Sequence, residues 1–201
     1  MKQQSEQKLT KRQLQAIETK DKVFNAAIMA INEKGFNNVS VEDITTAANV
    51  AKGTFYTHFE SKEAVVFYTS IQSDKIYEKA YEQVQNLDFL PMVTQFARLS
   101  YLENEKRGKE IVKAIISNYF TSPEHNFYNK DRSLLQCLER IVESGKRQGC
   151  LDVVVPTDQY VNTLLSMIVG VEVMWCFDEQ GRSLADMMTE AVYAAAKGMM
   201  Q

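Results

Sequence analysis

The sequence of 201 residues has little proline and glycine, with three Pro and eight Gly. These residues dominate turns, so their scarcity indicates few turns and long uninterrupted elements. That pattern favours helices over a sandwich or barrel of many short strands. One strand-like apolar run, at residues 151–155, is too short and too isolated to build a sheet.

Cysteine and long hydrophobic runs are also scarce. The three cysteines, Cys137, Cys150 and Cys176, are odd in number and have no C-x-x-C spacing, which argues against a disulfide framework or a zinc site. No stretch approaches 18 apolar residues without a charge, so no membrane span is expected. The first fifteen residues are polar and do not resemble a secretory signal. Together these features predict a cytoplasmic protein.

Motifs of catalysis are missing as well. There is no glycine-rich phosphate loop, no G-x-S-x-G and no His-x-x-x-His. Acidic pairs such as Glu172 and Asp178 are interpreted as solvated charges on helix faces. We therefore predict no enzymatic activity, no cofactor and no metal.

Charge is distributed unevenly along the chain, whose net charge is −3. Residues 1–62 contain nine Lys or Arg and seven Asp or Glu, whereas residues 63–201 contain 14 and 19. A contact with a polyanion is therefore expected at the N-terminal end.

Apolar residues recur at spacings of three and four through most of the chain, which predicts an all-α fold. A first helix is expected over 13–34, ending at Gly35. Ser40 is expected to cap a short helix at 41–48, and Ser61 to cap a long fourth helix. Two helices with wide apolar faces are expected at about 157–178 and 183–200.

Residues 35–62 have the pattern of a helix-turn-helix, because a second short helix at 52–59 follows the first after a tight turn. In that second helix Lys52 can contact phosphates, and Gly53 allows a close backbone approach. Thr54 and Thr57 offer hydroxyls and methyl groups to the bases, and Tyr56 and His58 can donate to phosphate oxygens. Phe55 and Phe59 are expected to face inward. The candidate DNA-binding residues are Ser40, Thr45, Ala51, Lys52, Gly53, Thr54, Tyr56, Thr57, His58 and Lys62.

The same residues resemble the signature of the TetR/AcrR family of transcriptional regulators. The similarity rests on Ala51-Lys-Gly-Thr-Phe-Tyr56, His58-Phe59 and Ser61-Lys-Glu63, with Gly35-Phe36 in the turn after the first helix. It covers roughly residues 16–68, about a quarter of the chain. Thr57 departs from the family pattern, since many members have a second Tyr there.

The resemblance implies a DNA-binding domain at 1–62, with a flexible arm at 1–12, and a helical ligand-binding and dimerisation domain at 63–201. About nine helices are expected. It further implies a homodimer through the last two helices, which would place two reading helices about 34–36 Å apart on a near-palindromic operator. The candidate ligand-binding residues are Tyr68, Phe96, Tyr101, Tyr119, Phe120, Met174 and Trp175.

The function expected from these features is that of a repressor, released from its operator by a small apolar or amphipathic effector. Two alternatives stay open. An architectural DNA-binding protein would have a filled core and no effector. If the protein were instead a helical carrier of hydrophobic small molecules, the wild type and its Lys52→Ala, Tyr56→Ala variant would have equal affinity for DNA.

Overall fold

A computed structural model describes residues 10–121 and 129–201. Within those ranges the chain forms nine α-helices, one short 3-10 helix and no β-strand, which confirms the predicted all-α class. Residues 1–9 of the predicted arm, including Lys2 and Lys8, lie outside the described residues. The α-helices are α1 (Lys11–Lys34), α2 (Val41–Ala47), α3 (Lys52–His58), α4 (Lys62–Val84), α5 (Phe89–Glu105), α6 (Lys109–Thr121), α7 (Ser133–Arg147), α8 (Thr157–Cys176) and α9 (Leu184–Met199).

The chain forms two compact units whose boundary lies inside α4, between Val65 and Val66. In the first unit, α1, α2 and α3 pack around a small core together with the 3-10 helix Phe36–Asn38. Side chains from all three α-helices are removed from solvent in this core, among them Ile31, Ile44 and Phe55. Burial of such apolar surface is the main term that stabilises so small a unit.

Capping residues set the ends of α1. The Thr10 hydroxyl accepts from the Gln13 backbone N–H at 3.3 Å, and the Gln13 side chain accepts from the Thr10 N–H at 2.8 Å. This reciprocal pair starts the helix at Lys11, two residues before the predicted start, so part of the predicted arm is helical. Gly35 ends the helix as predicted, with φ of 79° and an N–H that donates to the Ile31 carbonyl at 2.8 Å.

The second unit is a helical bundle in which α5 packs on α9 and α7, and α8 packs on α6, α7 and α9. Its core includes Phe89, Phe96, Leu138, Ile141 and Leu164. Among the described residues, no helix is long and apolar enough to cross a membrane.

Candidate nucleic-acid interface and internal cavity

Polar contacts fix the start of α2. Ser40, predicted to contact DNA, is exposed, and its hydroxyl accepts from the Asp43 backbone N–H at 3.1 Å. The Asp43 carboxylate receives the Lys34 ammonium at 2.8 Å and the Ser40 N–H at 2.9 Å. These donors hold the pKa of Asp43 well below its usual range. The carboxylate stays charged at the positive end of α2 and ties that end to α1.

The turn between α2 and α3 depends on a residue that apolar periodicity does not reveal. Asn49 has a φ of 49°, in the left-handed region that Asn tolerates better than most residues. The next residue, Val50, donates its N–H to the Thr45 carbonyl at 3.0 Å. The left-handed conformation of Asn49 thus forms the tight turn that the sequence predicts between the two short helices.

Helix α3 has one buried face and one exposed face. Phe55 and Phe59 are buried as predicted, with their ring centroids 6.0 Å apart. Tyr56 is 50% exposed, and its ring meets the edge of Phe55 at a centroid distance of 5.4 Å. The predicted contact residues Ala51, Lys52, Gly53 and Thr57 are exposed, whereas Thr54 and His58 are half-buried.

Lys52, the cation predicted to contact phosphates, forms an ion pair with Glu42 of α2. The hydrogen bond between them raises the pKa of Lys52 and lowers the pKa of Glu42. Both side chains are well exposed, so water and salt screen this pair. A phosphate could therefore replace the Glu42 carboxylate at small cost.

Gly53 lies on the open side of α3. A Cβ built at this position would meet no atom within 4 Å, so packing does not require glycine here. Its carbonyl accepts from the Thr57 hydroxyl at 3.0 Å, which holds that side chain along the helix. The bare backbone at Gly53 allows another molecule to approach closely.

Two of the predicted contact residues have internal partners. Thr45 is only 6% exposed, and its hydroxyl donates to the Glu42 carbonyl at 3.2 Å. The Lys62 ammonium donates to the carbonyls of Phe36 and Val39 at 2.9 and 3.1 Å and lies 4.5 Å from the Phe36 ring centre. Lys62 thus closes the segment after α1 onto the start of α4.

The second unit contains a cavity of about 80 Å³. Its polar lining includes Ser70, Ser73 and Tyr77 of α4 and Asn104 of α5. Apolar walls come from α6, α7, α8 and α9, namely Ile111, Val112, Ile115, Leu134, Leu135, Leu165, Ile168, Val169 and Leu184. Such an apolar enclosure with a few polar groups is typical of a small-molecule site.

The seven predicted ligand residues are spread through the second unit. Tyr119 lines the cavity. Phe96, Tyr101 and Trp175 are buried in the core, where the Trp175 Nε1 donates to the Arg182 carbonyl at 3.0 Å. Phe120 and Met174 are exposed, and Tyr68 is half-buried.

Glu172 of α8 also lines the cavity, so its interpretation as a solvated charge is wrong. Burial raises its pKa to about 7. The residue follows Leu165 and Ile168 at helical spacing and precedes Trp175 by three positions, on the face of α8 that is buried. That spacing is the signal that could have placed it inside the bundle.

The family model described as "Bacterial regulatory proteins, tetR family" matches residues 23–69, which include α2 and α3. The HTH-type transcriptional regulator UidR of Escherichia coli is 23% identical over 163 residues, which are 79% of this chain and 82% of that protein.

A shorter match is to the uncharacterized HTH-type transcriptional regulator YvdT of Bacillus subtilis, 46% identical over 46 residues. It covers 23% of this chain and 24% of the length of YvdT. Among solved structures, Thermus thermophilus FadR, a TetR-family transcriptional repressor in complex with lauroyl-CoA, is similar in fold, with a TM-score of 0.67 and 21% identity. The similarity covers 90% of this chain and 95% of that one.

The family match lies on the helix-turn-helix formed by α2 and α3, and the similarity in fold to T. thermophilus FadR covers 90% of this chain. Residues 23–69 thus match the helix-turn-helix model of the tetR family of bacterial regulatory proteins, and the fold of the chain is that of TetR-family regulators.

Proposed function

We propose that this protein is a cytoplasmic repressor that binds a near-palindromic operator as a homodimer and is released by a small-molecule effector. The observation that carries the proposal is the division of α3 into a face anchored by Phe55 and Phe59 and an opposite face open to solvent. An α-helix fits the major groove, so side chains on the open face can meet base edges and phosphates.

The proposed DNA contacts are assigned according to the chemistry of each exposed residue. Lys52 exchanges its Glu42 partner for a phosphate, and the bare backbone at Gly53 lets the helix approach the groove. The Tyr56 hydroxyl donates to a phosphate oxygen, and the Thr57 methyl packs on a thymine methyl. Ser40, Ala51, Thr54 and His58 flank this centre. Thr45 and Lys62 are left out, because their polar atoms have internal partners.

Effector release is proposed to act through α4. This helix begins with Lys62, which holds the segment after α1, and continues to Ser70, Ser73 and Tyr77, which line the cavity. An effector in the cavity can change DNA affinity only if it binds one position of α4 more tightly than another. The lauroyl-CoA bound to T. thermophilus FadR supports a small-molecule effector for this fold.

The dimer that the resemblance implies is proposed to form through α8 and α9. Large apolar side chains stay uncovered there, with Met174 60% exposed and Tyr193 46% exposed, and Phe177 just after α8 is 75% exposed. Exposed apolar residues grouped on neighbouring elements mark an interaction surface. A two-fold pairing of this surface would present two copies of α3 to successive major grooves.

The test compares DNA binding by the wild type and by the Lys52→Ala, Tyr56→Ala variant, measured by fluorescence anisotropy on a duplex enriched from a random pool. We expect the variant to lose at least about tenfold in affinity, because a phosphate contact and a ring contact are removed. Lys79→Ala, an exposed lysine of α4 in the second unit, is the matched control and should bind like the wild type. Equal affinity of the double variant and the wild type would contradict the proposal and favour the carrier alternative.

A further inference from the structure

An acidic side chain stands in the cavity of the second unit, facing groups from four helices. Glu172 affects the pKa of Tyr77 on α4, Tyr101 on α5, Tyr119 on α6 and Cys176 on α8. Each of these neighbours is itself an acid, so none supplies a positive charge. Glu172 therefore lies among neutral hydroxyls and a thiol.

No ion pair compensates the Glu172 carboxylate within the described ranges 10–121 and 129–201. Its pKa is raised by burial and lowered only by the hydroxyl of Tyr101. That hydroxyl is buried and makes no hydrogen bond of ordinary geometry among the described residues, and it carries no charge. This half-buried carboxylate therefore lacks a cationic partner among the described residues.

The two arginines that line the cavity, Arg107 and Arg132, form hydrogen bonds with residues other than Glu172. The Arg132 Nε donates to both carboxylate oxygens of Asp74 at 3.0 and 2.9 Å. Arg107 donates to the Thr69 carbonyl at 2.8 Å and to the Ser73 hydroxyl. Neither guanidinium forms an ion pair with Glu172 among the described residues, and Arg132 is paired with Asp74 instead.

The space beside Glu172 is small, and aliphatic side chains form a large part of its lining beside the hydroxyls and arginines of the cavity. Ile168 lies one turn before it on α8, and Ile111 and Ile115 face the same cavity from α6. About 80 Å³ has room for a compact hydrocarbon group. The cavity thus offers the same ligand a carboxylate without an ion-pair partner among the described residues and a set of aliphatic contacts.

We infer that the effector is an amine with a compact apolar body, whose ammonium pairs with the Glu172 carboxylate while its hydrocarbon part contacts the isoleucines. The inference rests on the proposed function, since it names the chemical class of the effector for that same cavity. The ligand supplies the positive charge that the surrounding helices lack, which makes the pair stronger than it would be in water.

The binding test uses three probes that share one hydrocarbon chain: hexylamine, hexan-1-ol and hexanoate. Calorimetry with the full chain, without DNA, should give hexylamine at least tenfold tighter binding than either other probe. Glu172→Gln should abolish this preference while hexan-1-ol binds as before, which shows that the cavity is intact. Glu82→Gln, an exposed acid on α4, is the matched control and should keep the preference.

The pH dependence provides an independent readout. The affinity for hexylamine should rise between pH 6 and pH 8 in the wild type, because Glu172 must lose its proton to pair with the ammonium. The other described groups that face it keep their charge over this range, since burial raises the pKa of Cys176 to about 11 and of the tyrosines above their usual values, and both arginines stay charged. The rise should vanish in Glu172→Gln.

Failure of hexylamine to bind, equal binding of all three probes, or an unchanged preference in Glu172→Gln would overturn the inference. These outcomes leave the DNA-binding proposal standing, because they are measured without DNA. The affinity of the wild type for its operator is measured in parallel. If the wild type binds no operator, the proposed function is wrong, whether or not hexylamine binds.

Discussion

At α3, residues that maintain the fold and residues available to another molecule alternate along seven positions. Phe55 is buried against the core, while its neighbours Thr54 and Tyr56 turn away from it to different degrees. This alternation allows stability and DNA binding to be changed separately. Substitutions on the open face should alter affinity and leave the unfolding free energy nearly unchanged.

Gly53→Ala makes that separation measurable. The new methyl meets no atom within 4 Å in the free protein, and alanine favours helices over glycine by up to about 1 kcal/mol. The free energy of unfolding in urea should therefore stay equal or rise. DNA affinity should fall by roughly tenfold, because the methyl occupies the space of the closely approaching groove. If the Gly53→Ala variant binds DNA as tightly as the wild type, Gly53 does not lie in the interface.

Glu42→Gln should act in the opposite direction. Glu42 holds the Lys52 ammonium and places a negative charge beside the proposed path of the DNA backbone. Its removal should raise DNA affinity about three- to tenfold near 0.1 M salt, with a smaller gain at higher salt. Anisotropy titrations at two salt concentrations measure this, with Glu82→Gln as the control. A loss of affinity would show that the ion pair is needed to position Lys52.

Glu172 makes the stability of the protein depend on pH. Its pKa is about 7 in the folded chain and 4.5 for an unperturbed Glu, so between these values the folded state holds a proton that the unfolded state has lost. The contribution of this group to the unfolding free energy therefore decreases as pH rises from about 5 to about 7. Glu172→Gln should be more stable than the wild type at pH 8 by about 1–3 kcal/mol, with a much smaller difference at pH 4.5. Urea unfolding at both pH values tests this, and an equal difference at both would contradict it.

At the scale of the elements, α7 owes its position to a glycine. A Cβ at Gly145 would lie 2.6 Å from Phe89 Cδ2 and 2.9 Å from Leu151 Cδ1, so the absence of a side chain lets α7 approach α5 closely. Gly145→Ala should lower the unfolding free energy by about 1–3 kcal/mol, although alanine favours helices. Gly53→Ala is the control, since it makes the same exchange in open space. A Gly145→Ala protein as stable as the wild type would mean that the bundle repacks without cost.

The positions of most helices could be predicted from the spacing of apolar residues, because burial of one face gives a period close to four. Their starts depend on local features. Helix α5 begins at Phe89 and accommodates Pro91, because a proline in the first turn loses no helical hydrogen bond. Helix α9 begins as expected, since the Ser183 hydroxyl accepts from the Asp186 N–H at 3.3 Å.

The site was harder to predict than the helices. Residue types and order identify the exposed face of α3, but the internal partners of Thr45 and Lys62 depend on the path of the chain after α1. The cavity lining depends on how five or more helices meet, which aromatic content does not reveal. For that reason the predicted aromatic residues are mostly core or surface, whereas Glu172 and several aliphatic residues form the wall.

For the whole molecule, the proposed binding to a near-palindromic operator requires two copies of the chain. Met174→Glu should convert the dimer into a monomer at micromolar concentration, because a charge would be buried in an apolar interface. Analytical ultracentrifugation gives the mass directly, and DNA affinity should fall together with dimerisation. Val154→Glu is the control, since Val154 is as apolar and exposed but lies between α7 and α8. If the Met174→Glu variant remains a dimer, the interface does not include Met174.

Recognition of a two-fold operator through α3 is tested by selecting the duplexes that the wild-type protein binds from a random DNA pool. We expect a near-palindromic sequence whose half-sites are about one helical turn apart or a multiple of it, bound tightly and with strong salt dependence. Weak binding with no preferred sequence would contradict it and support the architectural alternative.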